Sequence, residues 1–262
     1  MRKRTRSESV VLRDSELLRR IRPLKADHPA WGYRRIWAYL RYREELVVGK
    51  NRVYRVLKEN KLLATYTRKL RACRTVGRSK PRTSTPNELW GIDMTKIAVQ
   101  SWGWLYLHVI KDWGSKKITG WSLSTTSKTS DWLEALQEAL HTQFPQGVRE
   151  HGRLKLVSDN GCQPTSAQFM AACSVLGIKQ IFTSYNNPKG NADTERVIRS
   201  IKEDLIWPNQ WFSFQQLHHA LKRWIYHYNN DFPHSAIGYK TPQQFEDLNT
   251  TNINHKFSLI RS

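Results

Sequence analysis

The chain has 262 residues and carries 43 Lys and Arg against 22 Asp and Glu, a formal net charge of +21. Its apolar runs are too short to span a membrane and no signal peptide opens it, so we expect neither a membrane protein nor a secreted one. The three cysteines lack the spacing of a zinc site or a disulfide framework, which favours a reducing, cytoplasmic location. So large an excess of positive charge indicates a polyanionic partner.

The positive charge is concentrated in the amino-terminal third of the chain. Residues 1–87 contain 25 Lys and Arg against 7 Asp and Glu, whereas the other 175 residues contain 18 against 15. This asymmetry predicts a basic module that binds nucleic acid, followed by a nearly neutral globular domain.

Residues 1–63 are predicted to form a small all-helical domain. We expect an irregular start over residues 1–15, a short helix from Leu17 and an amphipathic helix around Tyr33–Leu40. A second amphipathic helix, from about Asn51 to Leu62, follows a turn, and this helix-turn-helix arrangement can read DNA in the major groove. A structural bundle with a solvated face is the alternative. The outer-face residues predicted to contact DNA are Asn51, Arg52, Arg55 and Lys58.

Residues 64–87 are predicted to be a basic linker. They contain no acidic residue, and Ser, Thr and Pro fill their end, so they cannot collapse into a core. Such a segment can follow a DNA backbone, where the release of counterions provides affinity. The predicted phosphate contacts of this linker are Arg68, Lys69, Arg71 and Arg74.

Residues 88–250 are predicted to form an α/β domain, followed by a tail at 251–262. The strands are expected at Trp90–Ile97, Trp104–Ile110, Ile118–Leu123, Leu154–Ser158 and Ile178–Phe182. The helices are expected at Asp131–Phe144, at Ser166–Leu176, from about Asn191, and in the long stretch capped by Ser213. Asn191 or Thr194 is expected to cap the first turn of the third of these helices. The order β-β-β-α-β-α-β-α-α predicts a mixed five-stranded sheet covered by helices.

Three acidic residues of this domain occupy unusual positions. Asp93 lies inside one apolar strand, Asp159 closes another, and Glu195 borders the apolar stripe of a predicted helix. Acids are depleted in strands and costly in cores, so the three together suggest a carboxylate cluster. Hard oxygen ligands of this kind suit Mg²⁺ or Mn²⁺. Two other acidic positions have ordinary interpretations: Asp112 as a turn or ion-pair residue, and Glu203 with Asp204 as solvated helix residues.

Basic residues accompany the Glu195 helix. At about 100° per residue, Lys202 lies only about 20° from Glu195 around the helix and Arg199 about 40° from it. Both are predicted DNA contacts, as is Lys189 in the loop before the helix. The alternative for each is a solvated surface residue. Most of the eleven tryptophans should be core residues, although Trp207 or Trp211 could stack on bases.

The arrangement of Asp93, Asp159 and Glu195 resembles the DDE motif of transposases and retroviral integrases. Asp159 and Glu195 are separated by 35 residues, and Lys202 follows Glu195 by seven. Over about residues 26–250, the chain most resembles OrfB-type transposases of bacterial insertion sequences. The fragments that carry this resemblance are His28–Ile36, Ser158–Gly161, Asn191-Ala192 and Pro233–Tyr239 with Thr241-Pro242. Cys162 and Pro164 depart from the family pattern, which more often has Ser and an aromatic residue there.

The resemblance implies a ribonuclease-H-like catalytic core and a DNA transposase that cuts element ends and joins them to another strand. Asp93, Asp159 and Glu195 would hold two metal ions about 3.5–4 Å apart. It implies a homo-oligomer on paired DNA ends in the cytoplasm, associated with the nucleoid. The chain would act alone, with a partner protein from an upstream reading frame, or as a fusion to that partner, which would supply a helix-turn-helix and a leucine zipper. The alternatives are a DNA-binding regulator with an inert fold and a nuclease that cuts without joining.

Overall fold

The computed structural model describes residues 7–64, 83–148, 153–183 and 190–249. These residues form two compact units. The first contains residues 7–64 together with the distant segment Pro233–Lys240, and the second contains the other described residues. Among all of them, no helix is both long and apolar enough to cross a bilayer.

The first unit is built on three helices, α1 (Glu8–Asp27), α2 (Tyr33–Tyr42) and α3 (Lys50–Glu59). Each helix turns an apolar stripe onto a shared core, as the 3.6-residue periodicity predicts. The buried core side chains are Leu17, Ile21 and Leu24 of α1, Ile36, Ala38 and Leu40 of α2, and Val53, Val56 and Leu57 of α3. The predicted all-helical module at the start of the chain is confirmed.

The prediction of an irregular start over residues 1–15 is wrong for the part that the structure describes, since α1 begins at Glu8. Asp14 explains the difference. Its carboxylate lies 2.8 Å from Arg52 Nε and 2.9 Å from Arg55 Nη1, both on α3. These ion pairs join the first half of α1 to a helix about forty positions later, which helical periodicity alone does not reveal.

The segment Pro233–Lys240 completes the first unit by an aromatic contact. It folds back on itself, with the His234 N–H donating to the Lys240 carbonyl at 3.0 Å. This hairpin-like turn presents Tyr239, whose ring lies 5.3 Å from that of Trp37 and 6.1 Å from that of Tyr42. The Lys50 ammonium lies 4.5 Å from the centre of the Trp37 ring. The helical module therefore includes residues that the chain supplies more than 170 positions after α3 ends.

The second unit contains the predicted mixed sheet of five strands, which is confirmed. In chain order the strands are β1 (Leu89–Val99), β2 (Gly103–Asp112), β3 (Ile118–Ser124), β4 (Lys155–Ser158) and β5 (Lys179–Phe182). Their spatial order is β3-β2-β1-β4-β5. The first three strands form an antiparallel meander, and β4 and β5 run parallel to β1.

Helices cover both faces of this sheet. They are α4 (Thr129–Gln143), α5 (Ala167–Val175), α6 (Ala192–Ile201) and α7 (Phe214–Asn230), and residues 242–249 are also helical. Ile92 packs into a core with Trp132 and Leu136 of α4 and Phe169 of α5. The neighbouring Gly91 faces α6, because successive strand residues point to opposite faces.

The helix α6 does not end at its last α-helical residue. It continues directly into a π-helical turn, Lys202–Ile206, which periodicity did not predict. Such turns are rare and often occur at functional sites. This one redirects the chain just beyond the predicted catalytic helix.

Asp112 has the predicted role of a turn residue. Its carboxylate is fully buried and accepts hydrogen bonds from the N–H groups of Asn87, Gly114 and Ser115, and from the Ser115 hydroxyl at 2.6 Å. These bonds stabilise the connection between β2 and β3. Asp112 therefore has a structural role, although burial raises its pKa.

Candidate active site

The two aspartates lie at the same level of neighbouring parallel strands. In the ladder between β1 and β4, Gly91 pairs with Val157. Asp93 and Asp159 each follow these paired residues by two positions. Because the strands are parallel, both aspartates lie at the carboxyl end of β4, where adjacent strands are about 4.8 Å apart.

The third acid, Glu195, is brought to this end by the docking of α6 onto β1. A Cβ atom added at Gly91 would lie 2.1 Å from Thr194 Oγ1 and 2.5 Å from Trp113 Nε1. Only glycine therefore allows the first turn of α6 to approach the strand this closely. Glu195 follows directly after the residue that makes this contact.

Three hydrogen bonds fix the start of α6 against the strands. The Asn191 amide donates to the Ile92 carbonyl at 3.0 Å, and the Trp113 indole donates to Thr194 Oγ1 at 3.1 Å. The Lys111 ammonium donates to the Asp193 carbonyl at 3.0 Å. Asn191 is the N-cap residue, but its side chain does not cap the helix, because the strand engages it instead. The expected capping role of that side chain is therefore wrong.

The electrostatics of Asp93 show that the predicted residues are neighbours. Burial, together with the charges of Asp159 and Glu195, raises the pKa of Asp93 to about 7. The Met94 N–H, which donates to Asp93 Oδ1 at 2.8 Å, and the Lys202 ammonium act in the opposite direction. Three carboxylates and one ammonium thus interact near the carboxyl end of β4, although they come from β1, the residue after β4, α6 and the π-helical turn.

Asp93 and Asp159 are oriented by the backbone that follows them. Asp159 is exposed, and its Oδ1 accepts the Gly161 N–H at 3.0 Å, within the tight turn after β4. Glu195 is also exposed, whereas Asp93 is half-buried. In the described part of the chain, no three His, Cys, Asp or Glu side chains stand close enough around one point to hold a metal ion as they are.

The basic residues predicted beside Glu195 differ in their surroundings. Lys202 is half-buried and lies near Asp93. Arg199 is exposed, and its Nε lies 2.8 Å from Glu203 Oε1. Glu203, expected to be solvated without a partner, is therefore engaged in an i, i+4 ion pair. Lys189 lies outside the described residues.

In the first unit, the predicted DNA contacts divide into two pairs. Arg52 and Arg55 are half-buried and engaged with Asp14 of α1. Asn51 and Lys58 are exposed. The linker positions Arg68, Lys69, Arg71 and Arg74 lie outside the described residues.

Sequence reasoning missed the residues that position Glu195. Gly91, Trp113 and Lys111 carry no chemistry of their own, and each lies within or beside an apolar strand. One signal was available, because an isolated glycine inside a strand marks a bulge or a close approach of backbone. It did not show which element approaches.

Comparisons with known proteins agree with this architecture. Two models described as integrase core domain match residues 83–188 and 176–242, and a model described as HTH-like domain matches residues 12–69. A simian T-cell lymphotropic virus intasome, solved in complex with PP2A regulatory subunit B56 gamma, is similar in fold. The likeness has a TM-score of 0.51 at 19% identity and covers 80% of this chain and 73% of the other.

Two curated relatives extend over most of the chain. A putative transposase for insertion sequence element IS986/IS6110 from Mycobacterium tuberculosis is 27% identical over 247 residues, which cover 90% of this chain and 88% of the relative. Transposase InsD for insertion element IS2A/D/F/H/I/K from Escherichia coli is 24% identical over 241 residues, which cover 88% and 78%. The HTH-like module, the integrase core and the carboxylates at its sheet end occur here in one chain. The chain belongs to the OrfB-type transposases of bacterial insertion sequences, within the retroviral-integrase-like DDE superfamily.

Proposed function

We propose that this transposase cuts the ends of an insertion sequence and joins them to another DNA strand, with Asp93, Asp159 and Glu195 as its catalytic residues. The observation that carries the proposal is the raised pKa of Asp93, to which the other two carboxylates contribute. Carboxylates that raise the pKa of a neighbour repel one another when charged, and a bound cation stabilises such a group of charges.

The donor set fits a divalent metal. All three side chains offer hard oxygen ligands, and none offers nitrogen or sulfur, which suits Mg²⁺ or Mn²⁺ better than Zn²⁺. Asp93 and Asp159 would share one or both of two ions, and Glu195 would complete the second site. Such ions would supply activation of water or a DNA 3′-hydroxyl and stabilisation of the leaving oxygen.

The protein's own groups position the reactants. The Met94 and Gly161 N–H groups hold one oxygen of Asp93 and Asp159, which leaves the other oxygen of each free to bind a ligand. The Lys202 ammonium, beside Asp93, would attract the phosphate next to the cleaved bond. Cutting and joining are then the same displacement with different nucleophiles, and no covalent protein–DNA intermediate is needed.

The two units would divide the work of DNA recognition. Asn51, in the first turn of α3, and Lys58 are exposed where a recognition helix would contact the major groove. Arg52 and Arg55 would contribute indirectly, by stabilising the position of α3, because both form ion pairs with Asp14. We further propose that the protein assembles as an oligomer on paired ends and acts with the nucleoid in the cytoplasm.

The test uses purified protein, Mg²⁺ and labelled DNA that carries the termini of the element encoding the chain. A transposase should both cut the termini and join them to a second DNA. A regulator would bind without cutting, and a nuclease would cut without joining. Reactions with EDTA in place of Mg²⁺ are the control. Binding alone, under conditions in which the protein is folded, would contradict the proposal.

A further inference from the structure

One open groove of about 850 Å³ lies beside the candidate active site, in the second unit. This volume is within the range of about 300–1,000 Å³ that small-molecule sites have. The groove follows the free edge of β1. This strand pairs with β2 from Trp90 to Val99, but with β4 only as far as Gly91. Beyond Gly91, therefore, none of the described strands covers this edge of β1.

The groove is lined on one side by β1 and on the other by the π-helical turn and the residues that follow it. Lys202, which lies near Asp93, lines it at one side. At the far end the Gln100 N–H donates to the Trp211 carbonyl at 2.8 Å, and this bond joins β1 to the chain after the π-helical turn. A strand of DNA with a phosphate at the carboxylates would therefore pass Lys202 directly into the groove.

Two exposed indoles line this groove. Trp104 is 51% exposed and Trp207 is 65% exposed, whereas Trp31, Trp90, Trp113 and Trp132 are each at most 2% exposed. An exposed indole loses the stabilisation that burial gives to most tryptophans. Two exposed tryptophans beside one groove therefore suggest a binding role. Among the described residues only one other tryptophan, Trp102 at 46%, is exposed, and it does not line the groove.

The positive charges that line the groove indicate what kind of ligand it binds. The Lys96 ammonium lies 4.5 Å from the centre of the Trp104 ring, and Lys202 provides a second positive charge. A base stacked on the indole would bring its phosphate close to Lys96. Aromatic platforms next to basic side chains are how proteins hold single-stranded nucleic acid. Paired bases inside a duplex are stacked on their neighbours and do not present their faces in this way.

We propose that this groove binds unpaired nucleotides of the DNA strand next to the cleaved phosphate, with Trp104 and Trp207 as stacking platforms and Lys96 as a phosphate contact. The proposal rests on the proposed function, because it places the scissile phosphate at Asp93, Asp159 and Glu195. It implies that the terminal base pairs open when the DNA end engages the site.

A β-strand from a second copy of the chain is the competing occupant, since an open strand edge can pair with another strand. Lys96 argues against it. Exposed lysines on an edge strand discourage pairing with another chain, whereas they favour a phosphate backbone.

The proposal is tested by equilibrium binding of fluorescent probes to the full chain in Mg²⁺. One probe is a single-stranded thymidine oligonucleotide of about twelve nucleotides, a length within the site size of other single-strand binders. The other is a blunt hairpin duplex. Trp104→Ala and Trp207→Ala should each weaken binding of the single strand by between about 5-fold and about 100-fold, the range expected for one lost stacking platform. Binding of the duplex should change by less than about twofold, because the HTH-like module is intact.

Trp102→Ala is the matched control and should change neither affinity. Trp207→Phe, which keeps an aromatic face, should retain most of the single-strand affinity and guards against misfolding as the cause. Single-strand affinities of the Trp104 and Trp207 variants equal to that of Trp102→Ala would overturn the proposal. So would a Trp207→Ala protein that loses self-association in light scattering but binds the oligonucleotide normally. Failure of the proposed function would be recognised separately from these binding results, because the wild-type protein would then neither cut nor join element ends.

Discussion

At the scale of the residue, the candidate site contains three carboxylates, two of which raise the pKa of the third. Asp93 is half-buried and its pKa is raised to about 7 by burial and by the charges of Asp159 and Glu195. Taken singly, each of these acids has an ordinary alternative, a turn or a solvated helix face. The contacts of Asp112 show that such alternatives are real, because the same sheet uses that acid only to fix a turn.

The first prediction concerns the carboxylates themselves. Asp93→Asn, Asp159→Asn and Glu195→Gln should each reduce cutting and joining by more than about 100-fold, because even groups outside the ligand shell change metal affinity by about 10- to 100-fold. Binding of element ends should remain nearly intact, since the amides keep the shape of the side chains. Cleavage rates and gel-shift affinities measure the two effects. An active Asp159→Asn protein would remove that residue from the cluster.

The second prediction concerns Lys202. Lys202→Ala should weaken cleavage at element ends and lower the slope of log affinity against log salt by about 1, the effect of one lost phosphate contact. The loss should shrink at low salt, where other basic groups compensate. Lys155→Ala is the control, because Lys155 is exposed at the beginning of β4, the opposite end of that strand from Asp159. Equal and small losses for both variants would make Lys202 an ordinary solvated lysine.

At the scale of the element, the position of Glu195 is set by how α6 meets β1. Gly91, Trp113 and Asn191 form a short-range contact between a strand and a helix about a hundred residues apart. The position of the Glu195 carboxylate on α6 therefore depends on the small size of Gly91 in β1. None of these residues needs to touch DNA to matter for the reaction.

The third prediction follows from that contact. In Gly91→Ala the added Cβ would lie 2.1 Å from Thr194 Oγ1, so the Thr194 side chain or the start of α6 that carries it must shift. A displacement of about 1 Å at a catalytic group can cost on the order of 100-fold in rate. We expect a loss of that order in cleavage, with end binding retained. Gly32→Ala, where nothing lies within 4 Å of the new Cβ, controls for the substitution itself. Full activity of Gly91→Ala would show that Glu195 does not depend on this docking.

At the scale of the whole molecule, the chain divides charge and chemistry between two units. Most of the net positive charge lies in residues 1–87, whereas the carboxylates lie in the nearly neutral remainder. The segment Pro233–Lys240 qualifies this division, because the chain returns there to pack Tyr239 on Trp37 and Tyr42. Removal of the first sixty residues would therefore also leave an aromatic residue without its partners.

The fourth prediction tests the division. Deletion of residues 1–63 should abolish the footprint on element ends, while residues 83–249 keep a cooperative thermal transition, since their core is built within the second unit. In the full chain, Asn51→Ala combined with Lys58→Ala should weaken binding of element ends without altering that transition. Footprinting and circular dichroism measure the two properties. A footprint that survived the deletion would place end recognition elsewhere.

The sequence by itself determined the order and type of nearly all elements, because helical and strand periodicities are local and were strong here. It also indicated Asp93 and Asp159, because acids are rare in apolar strands, and Glu195, because it borders the apolar stripe of its helix. Helix α1 began earlier than predicted because ion pairs between Asp14 and α3 extend it. The side chain of Asn191 was predicted to cap α6 but donates to β1 instead.

Only the tertiary structure decided which residues hold α6 against the sheet, where Tyr239 packs, and which tryptophans remain exposed. The physical reason is the same in each case. These features depend on contacts between residues 80 or more positions apart, or on surface that a neighbouring element leaves uncovered. Periodicity reports which face of an element is apolar, but not which partner that face will meet. The groove beside β1 exists because β4 stops pairing at Gly91, and no local pattern along β1 records where its neighbour ends.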